Sequence, residues 1–186
     1  KFELFSRRFT LAPVGGFSYH EQNFRMNEGV QTVSDPTLVA PGYEPPPVGT
    51  TFYNLNSTYQ TEWKGPWLGY DFELLPSRFF RLFGTFEYHW ANYEAKANWN
   101  LRPSFAHPVS YKHDATDATG VVVSLGSRFD FSRAIALHLS LHYQDWTAED
   151  GTDIVYFSDG TIGQTPLNEV SWESYAAMVG VDFKFY

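Results

Sequence analysis

The sequence predicts an all-β protein: an antiparallel up-and-down transmembrane β-barrel, one domain over residues 1–186. Three observations lead there. The C-terminal stretch alternates Tyr175, Ala177, Val179, Val181, Phe183 and Phe185 with Ser174, Ala176, Met178, Gly180, Asp182 and Lys184. Successive strand side chains point to opposite faces, so one face is apolar and the other polar or small. The same period of two recurs through the chain, and the expected connections alternate long and short. A soluble β-sandwich shares the alternation, but the recurrence and the loop pattern favour a barrel whose apolar face meets lipid.

Composition agrees. Aromatic residues make up 19% of the chain, with 17 Phe, 12 Tyr and 6 Trp, and Tyr and Trp are the residues expected in belts at membrane interfaces. Mean hydropathy is −0.34, compatible with a barrel because only every second residue of a short band must be apolar. No run of 18 apolar residues exists, which excludes a transmembrane helix. The net charge of −8 argues against nucleic acid as a partner. There are no cysteines, so no disulfide framework is expected. No leader pattern is visible, so the sequence reads as a mature chain or one lacking its N-terminal part.

Residues 2–27 read as one strand bent at Pro13–Gly16, or as a hairpin turning there. Residues 28–50, rich in Pro and Gly, form a long loop. A second strand covers 51–74, with a tight turn at Leu75-Pro76-Ser77. The third, 78–100, places Phe80, Leu82, Gly84, Phe86, Tyr88 and Trp90 outward and Arg81, Phe83, Thr85, Glu87 and His89 inward. It continues into a more polar run, Asn92 to Asn100. About ten residues cross the hydrocarbon, so the excess predicts a tall barrel. Residues 101–118 are a polar loop, followed by a strand over 119–131 and a turn at Ser132-Arg133. The fifth strand points Ile135, Leu137, Leu139, Leu141 and Tyr143 outward, and Ala136, His138, Ser140, His142 and Gln144 inward. An acidic loop at 147–171, or an extended hairpin continuing its flanking strands, leads to the last strand. These are about six strands, fewer than the eight at which such barrels begin. Either the first stretch is a hairpin with another strand in residues 28–60 or, as the amphipathic run at residue 1 favours, further strands precede Lys1.

The chemistry-bearing candidates are Glu87, His89, His138, Ser140 and His142, all inward on this phase. A Ser–His–Glu set inside a barrel could act as an esterase, including a lipid A deacylase, with Ser as nucleophile and Glu polarising His. The simpler reading is a hydrogen-bonded network filling the interior, where polar groups must satisfy one another. Arg81, Arg128, Asp130, Asp182 and Lys184 read as interior charge pairs. His107, His113, Asp114 and Asp117 lack metal-ligand spacing, and Asp150, Asp153 and Asp159 lack calcium-loop spacing, so neither a metal nor another cofactor is predicted. The six tryptophans, Trp63, Trp67, Trp90, Trp99, Trp146 and Trp172, fit interface belts or the walls of the tall barrel.

Gly84-Thr-Phe-Glu-Tyr88 followed by Trp90, Lys64-Gly-Pro-Trp-Leu-Gly69, and Gly16-Phe-Ser-Tyr19 resemble strands of the omptins, outer-membrane proteases with a tall barrel. Protochlamydia-type outer membrane proteins are a similar group without an assigned protease. The resemblance implies a bacterial outer-membrane location. It also implies an Asp-x-His pair within Lys96–Asn100, where this chain has no carboxylate and no imidazole. Ala, Trp and Asn supply no general base. Glu21 and Glu62 fall where the resemblance implies basic lipopolysaccharide contacts. The expected function is therefore a structural or interaction barrel of the cell surface. Its expected partners are outer-membrane lipid or lipopolysaccharide and other envelope proteins. The alternatives are an outer-membrane hydrolase and a small porin.

Overall fold

The structure is a computed structural model that describes residues 8–39, 42 and 44–185. The expected start of the first strand at residues 2–7, Pro41 in the first loop and Tyr186 lie outside the described residues. Six strands follow in order: β1 (Phe9–Asn27), β2 (Asn56–Ser77), β3 (Phe80–Asn98), β4 (Tyr111–Asp130), β5 (Ile135–Tyr156) and β6 (Ile162–Phe183). They pair antiparallel with sequential neighbours in one sheet, with β1 and β6 at its two edges. The sheet is curled but not closed. His20 of β1 and Trp146 of β5 meet across its inner face, ring centroids 4.6 Å apart.

Each strand runs 19 to 22 residues, about twice the length that crosses hydrocarbon. Alternation changes sign along that length. In the lower half of β3 the outward side chains are Leu82, Phe86 and Trp90, the last two about half exposed. Above Trp90 the outward positions are Asn92, Glu94 and Lys96, while Ala91, Tyr93, Ala95 and Ala97 turn inward and are buried. β2 follows suit: Leu68 and Tyr70 are exposed below, and Trp63 is buried on the inner face above. A wall bathed in lipid outside wants apolar residues outward; the same wall standing in water wants them inward. The inversion marks the upper edge of the membrane band.

The core therefore lies in the upper interior, where small side chains make room for large ones. Ala91, Ala95, Ala115, Ala118 and Ala148 surround Trp63, Tyr93 and Trp146. One cross-strand row shows the fit: Gly16, Trp67, His89, Gly120, Trp146 and Trp172 stand side by side across all six strands. A Cβ on Gly120 would lie 2.5 Å from the Trp146 ring, so only glycine lets that indole lie flat.

The structure decides between alternatives that the sequence left open at two places, residues 2–27 and 147–171, and moves several other boundaries. The first strand is continuous from Phe9 to Asn27 and does not turn at Pro13–Gly16, because edge pairing tolerates a proline whose missing N–H faces away from the ladder. β2 begins at Asn56 rather than residue 51. The polar stretch 101–118 is a loop only to Ser110; Tyr111–Ala118 belongs to β4, since polar strand residues are at home above the membrane. Residues 147–171 are a hairpin of β5 and β6 joined by residues 157–161. Trp63 and Trp146 belong to the interior core, at 2% and 1% exposure, and not to an interface belt. Finally, Thr116 and Asp117 bulge opposite Asn92. A bulge of one extra residue exchanges the faces of everything beyond it. That turns His113 inward.

Candidate functional site

The five candidate side chains all project from the inner face, but the structure sorts them into three separate groups. Glu87 and His89 are two residues apart on β3 and so share a face. His89 Nε2 lies 3.1 Å from Glu87 Oε2, and His89 is 1% exposed. Its other nitrogen, Nδ1, lies 3.0 Å from Ser18 Oγ of β1. A carboxylate only accepts, so Glu87 accepts a hydrogen bond from Nε2–H, which leaves the Nδ1 lone pair facing the Ser18 hydroxyl.

Ser18 reaches His89 across an intervening strand because of Gly65. Ser18 pairs with Gly65 of β2, and a Cβ on Gly65 would come within 1.8 Å of the Trp90 carbonyl oxygen. The β2 and β3 backbones close up here without a side chain between them. Aromatic rings wall in the imidazole, with Trp146 4.7 Å and Trp67 5.7 Å from it between centroids. His20, 6.1 Å away, completes the ring of neighbours.

Ser140 and His142 form their own pair on β5, 3.2 Å apart, and the structure does not bring them to Glu87. His138 belongs to a third group near the lower end. Its Nε2 is 2.6 Å from Asp182, and the Arg128 guanidinium bridges Asp182 and Asp130. Arg81 pairs with Glu73 at 3.2 Å. A cavity of about 660 Å³ opens beside Asp71, Arg81, Arg128 and His138. Opposed charges neutralise one another around it, as interior charges must.

One grouping was hidden from the sequence. Above the aromatic row, His113 Nε2 lies 3.5 Å from Asp153 Oδ1, and its Nδ1 lies 3.3 Å from the Tyr59 hydroxyl. Tyr59 and Tyr93 hydroxyls meet at 2.6 Å. Burial pushes the His113 imidazole below its ordinary pKa, with Asp153 opposing, and pushes the Tyr59 phenol up. The only signals in the sequence were a His and an Asp forty residues apart; they are direct partners in the register of β4 with β5, and the β4 bulge decides that His113 faces the interior. Of the other loop candidates, His107 bonds Asn98 at 2.7 Å. Asp159 caps the β5–β6 turn by accepting from the Thr161 backbone N–H and hydroxyl, which hold its carboxyl below the usual range. Among the described residues no group of three or more His, Asp or Glu side chains could hold a metal ion.

With this geometry in view, comparison with known proteins identifies the chain's relatives. In fold it is similar to the outer membrane protease OmpT of Escherichia coli, with a TM-score of 0.69 at 16% identity over 98% of this chain. The chain spans 60% of the OmpT chain. No curated protein matches it in sequence. The model of one family, described as Protochlamydia outer membrane protein (Pom), matches residues 1–185. The chain belongs to the Protochlamydia outer membrane protein family and is an omptin-like β-barrel protein of the bacterial outer membrane.

Proposed function

We propose that this protein serves at the cell surface as a structural and interaction barrel and does not cut peptides in the omptin manner. The observation that carries the reading is the filling of the upper interior. In the window where the omptin resemblance asks for Asp-x-His, the buried inward position of β3 is Ala97, continuing the buried alanine Ala95 just before it. Tyr93, Trp63 and Trp146 pack against the alanines around them. The polar residues of the window, Lys96 and Asn98, stand on the opposite face of the strand. Outside, the strands carry a polar wall above the membrane, crowned by the loop at 28–55 and the β5–β6 hairpin. This is where envelope or extracellular partners find surface, while outer-membrane lipid covers the apolar band below.

His113 and Asp153 are the one inward His–Asp contact in this upper region among the described residues, so they decide the test. Folded protein in detergent is incubated with a broad set of unstructured fluorogenic peptides, beside His113→Ala. No cleavage dependent on His113 is expected. Cleavage by the wild type that disappears in His113→Ala would overturn the proposal.

A further inference from the structure

We infer that Ser18, His89 and Glu87 form an acyl-transfer centre that hydrolyses a carboxylic ester with an apolar acyl group. This goes beyond the structural reading above and does not depend on it. The three groups stand in the order such chemistry requires: a hydroxyl 3.0 Å from one imidazole nitrogen and a carboxylate 3.1 Å from the other. Nucleophile, base and orienting group within hydrogen-bond reach is the geometric signature of nucleophilic catalysis on any fold. Filling an interior does not demand it. Ser18 already has a backbone acceptor in the Gly65 carbonyl, 3.4 Å away, and could be satisfied there. Its hydroxyl lies closer to a buried imidazole held between two indoles.

The surroundings suit an acyl ester. Gly16 lies one same-face position from Ser18, and a Cβ there would sit 3.2 Å from Trp67 Nε1. Glycine thus keeps an indole N–H open beside the nucleophile, where it can donate to a developing oxyanion. In the other direction the same face of β1 continues through Gln22 and Phe24 into a cavity of about 340 Å³, walled also by Tyr59, Trp63 and Trp172. Trp63, 2% exposed, has an indole N–H with no partner among the described residues. An apolar chain with one polar atom fits such a groove.

The reaction balances without any further reagent. Ser18 Oγ attacks the ester carbonyl carbon while its proton passes to His89 Nδ1. The tetrahedral intermediate collapses, and the departing alcohol takes that proton, leaving an acyl group on Ser18. Water then attacks the acyl carbon and gives a proton to His89 Nδ1. The second collapse returns this proton to Ser18 and releases the carboxylic acid. Glu87 takes no proton; it is a positioning residue that holds the imidazole in the tautomer whose Nδ1 can accept.

The experiment uses full-length protein folded in detergent, checked for heat-modifiable migration. It is treated with an alkyl fluorophosphonate and assayed with p-nitrophenyl acetate and octanoate. One adduct per chain is expected, mapped by mass spectrometry to the peptide containing Ser18, with octanoate hydrolysed faster than acetate. Ser18→Ala should migrate as folded protein and lose both adduct and hydrolysis. Glu87→Gln should slow adduct formation on the order of 10²–10⁴-fold and alter the pH dependence of its rate; a merely structural carboxylate would leave that profile unchanged. The inference is overturned if folded wild-type protein takes no adduct at Ser18, if the adduct maps to Ser140 beside His142, or if Ser18→Ala hydrolyses octanoate as fast as wild type. None of these outcomes bears on His113-dependent peptide cleavage, so the two readings fail separately.

Discussion

Gly65 and Gly120 do more for the interior than their size suggests. Each is a missing side chain opposite a bulky or close-packed neighbour. A Cβ on Gly65 would meet a backbone oxygen at 1.8 Å, and backbone cannot swing aside as a flexible side chain can. Gly65→Ala should therefore force β2 and β3 apart, with an overpacking cost of about 1–3 kcal/mol. The expected readout is a lower urea midpoint for the folded barrel, together with weakened fluorophosphonate labelling of Ser18, because the Ser18–His89 contact crosses this gap. An unchanged midpoint would show that the two strands tolerate separation here. Nothing in the stretch Lys64-Gly-Pro-Trp announces the contact: it belongs to residues 18 and 89, 71 positions apart. Glu87 and His89, by contrast, were legible as partners, because two residues of one strand at an offset of two must share a face.

At the level of the strand, the period of two carries most of the information. β5 is the clearest case. Leu139 and Leu141 are 46% and 59% exposed, while Ser140 and His142 between them face the interior and bond each other. Leu139→Arg should cost about 2–4 kcal/mol near the bilayer midplane and reduce assembly into outer membranes, measured as the heat-modifiable fraction recovered. Ser140→Arg acts on interior packing and should leave the lipid contact intact. If Leu139→Arg assembles as well as the wild type, the assignment of faces in β5 is wrong. Strand parity was less legible wherever a bulge intervenes. Thr116 and Asp117 exchange the faces of β4 beyond them, and a sequence read with a fixed period of two cannot place His113. The polar run beyond Trp90 was legible, but not that its apolar residues, Ala91, Tyr93, Ala95 and Ala97, are buried inward, because a tall strand alternates on both sides of the boundary and only the surrounding medium changes.

For the whole molecule, the strand order and the connection lengths imply a direction. Residues 78–79 and 131–134 close the short turns at one end, and the loop at 28–55 and the β5–β6 hairpin tip project from the other. The chain contains no cysteine, so single-cysteine labelling carries no background. With Asp159→Cys at the hairpin tip, intact cells should react with a membrane-impermeant maleimide; with Phe79→Cys at the short turn, they should react only after permeabilisation. The reverse pattern would invert the barrel in the membrane.

The sequence by itself determined the all-β class, the six-strand meander, the outward faces of the membrane band and the inward placement of Glu87, His89, His138, Ser140 and His142. These follow from a two-residue period, which is local and survives without knowledge of neighbours. Tertiary structure alone decided which inward groups meet: Ser18 with His89 across Gly65, His113 with Asp153 beyond a bulge, and Trp63 with Tyr93 and Trp146 in the core. Those contacts depend on register and on the curl of the sheet. Both are set by the summed pairing of strands far apart in sequence, and no single stretch of the chain contains them.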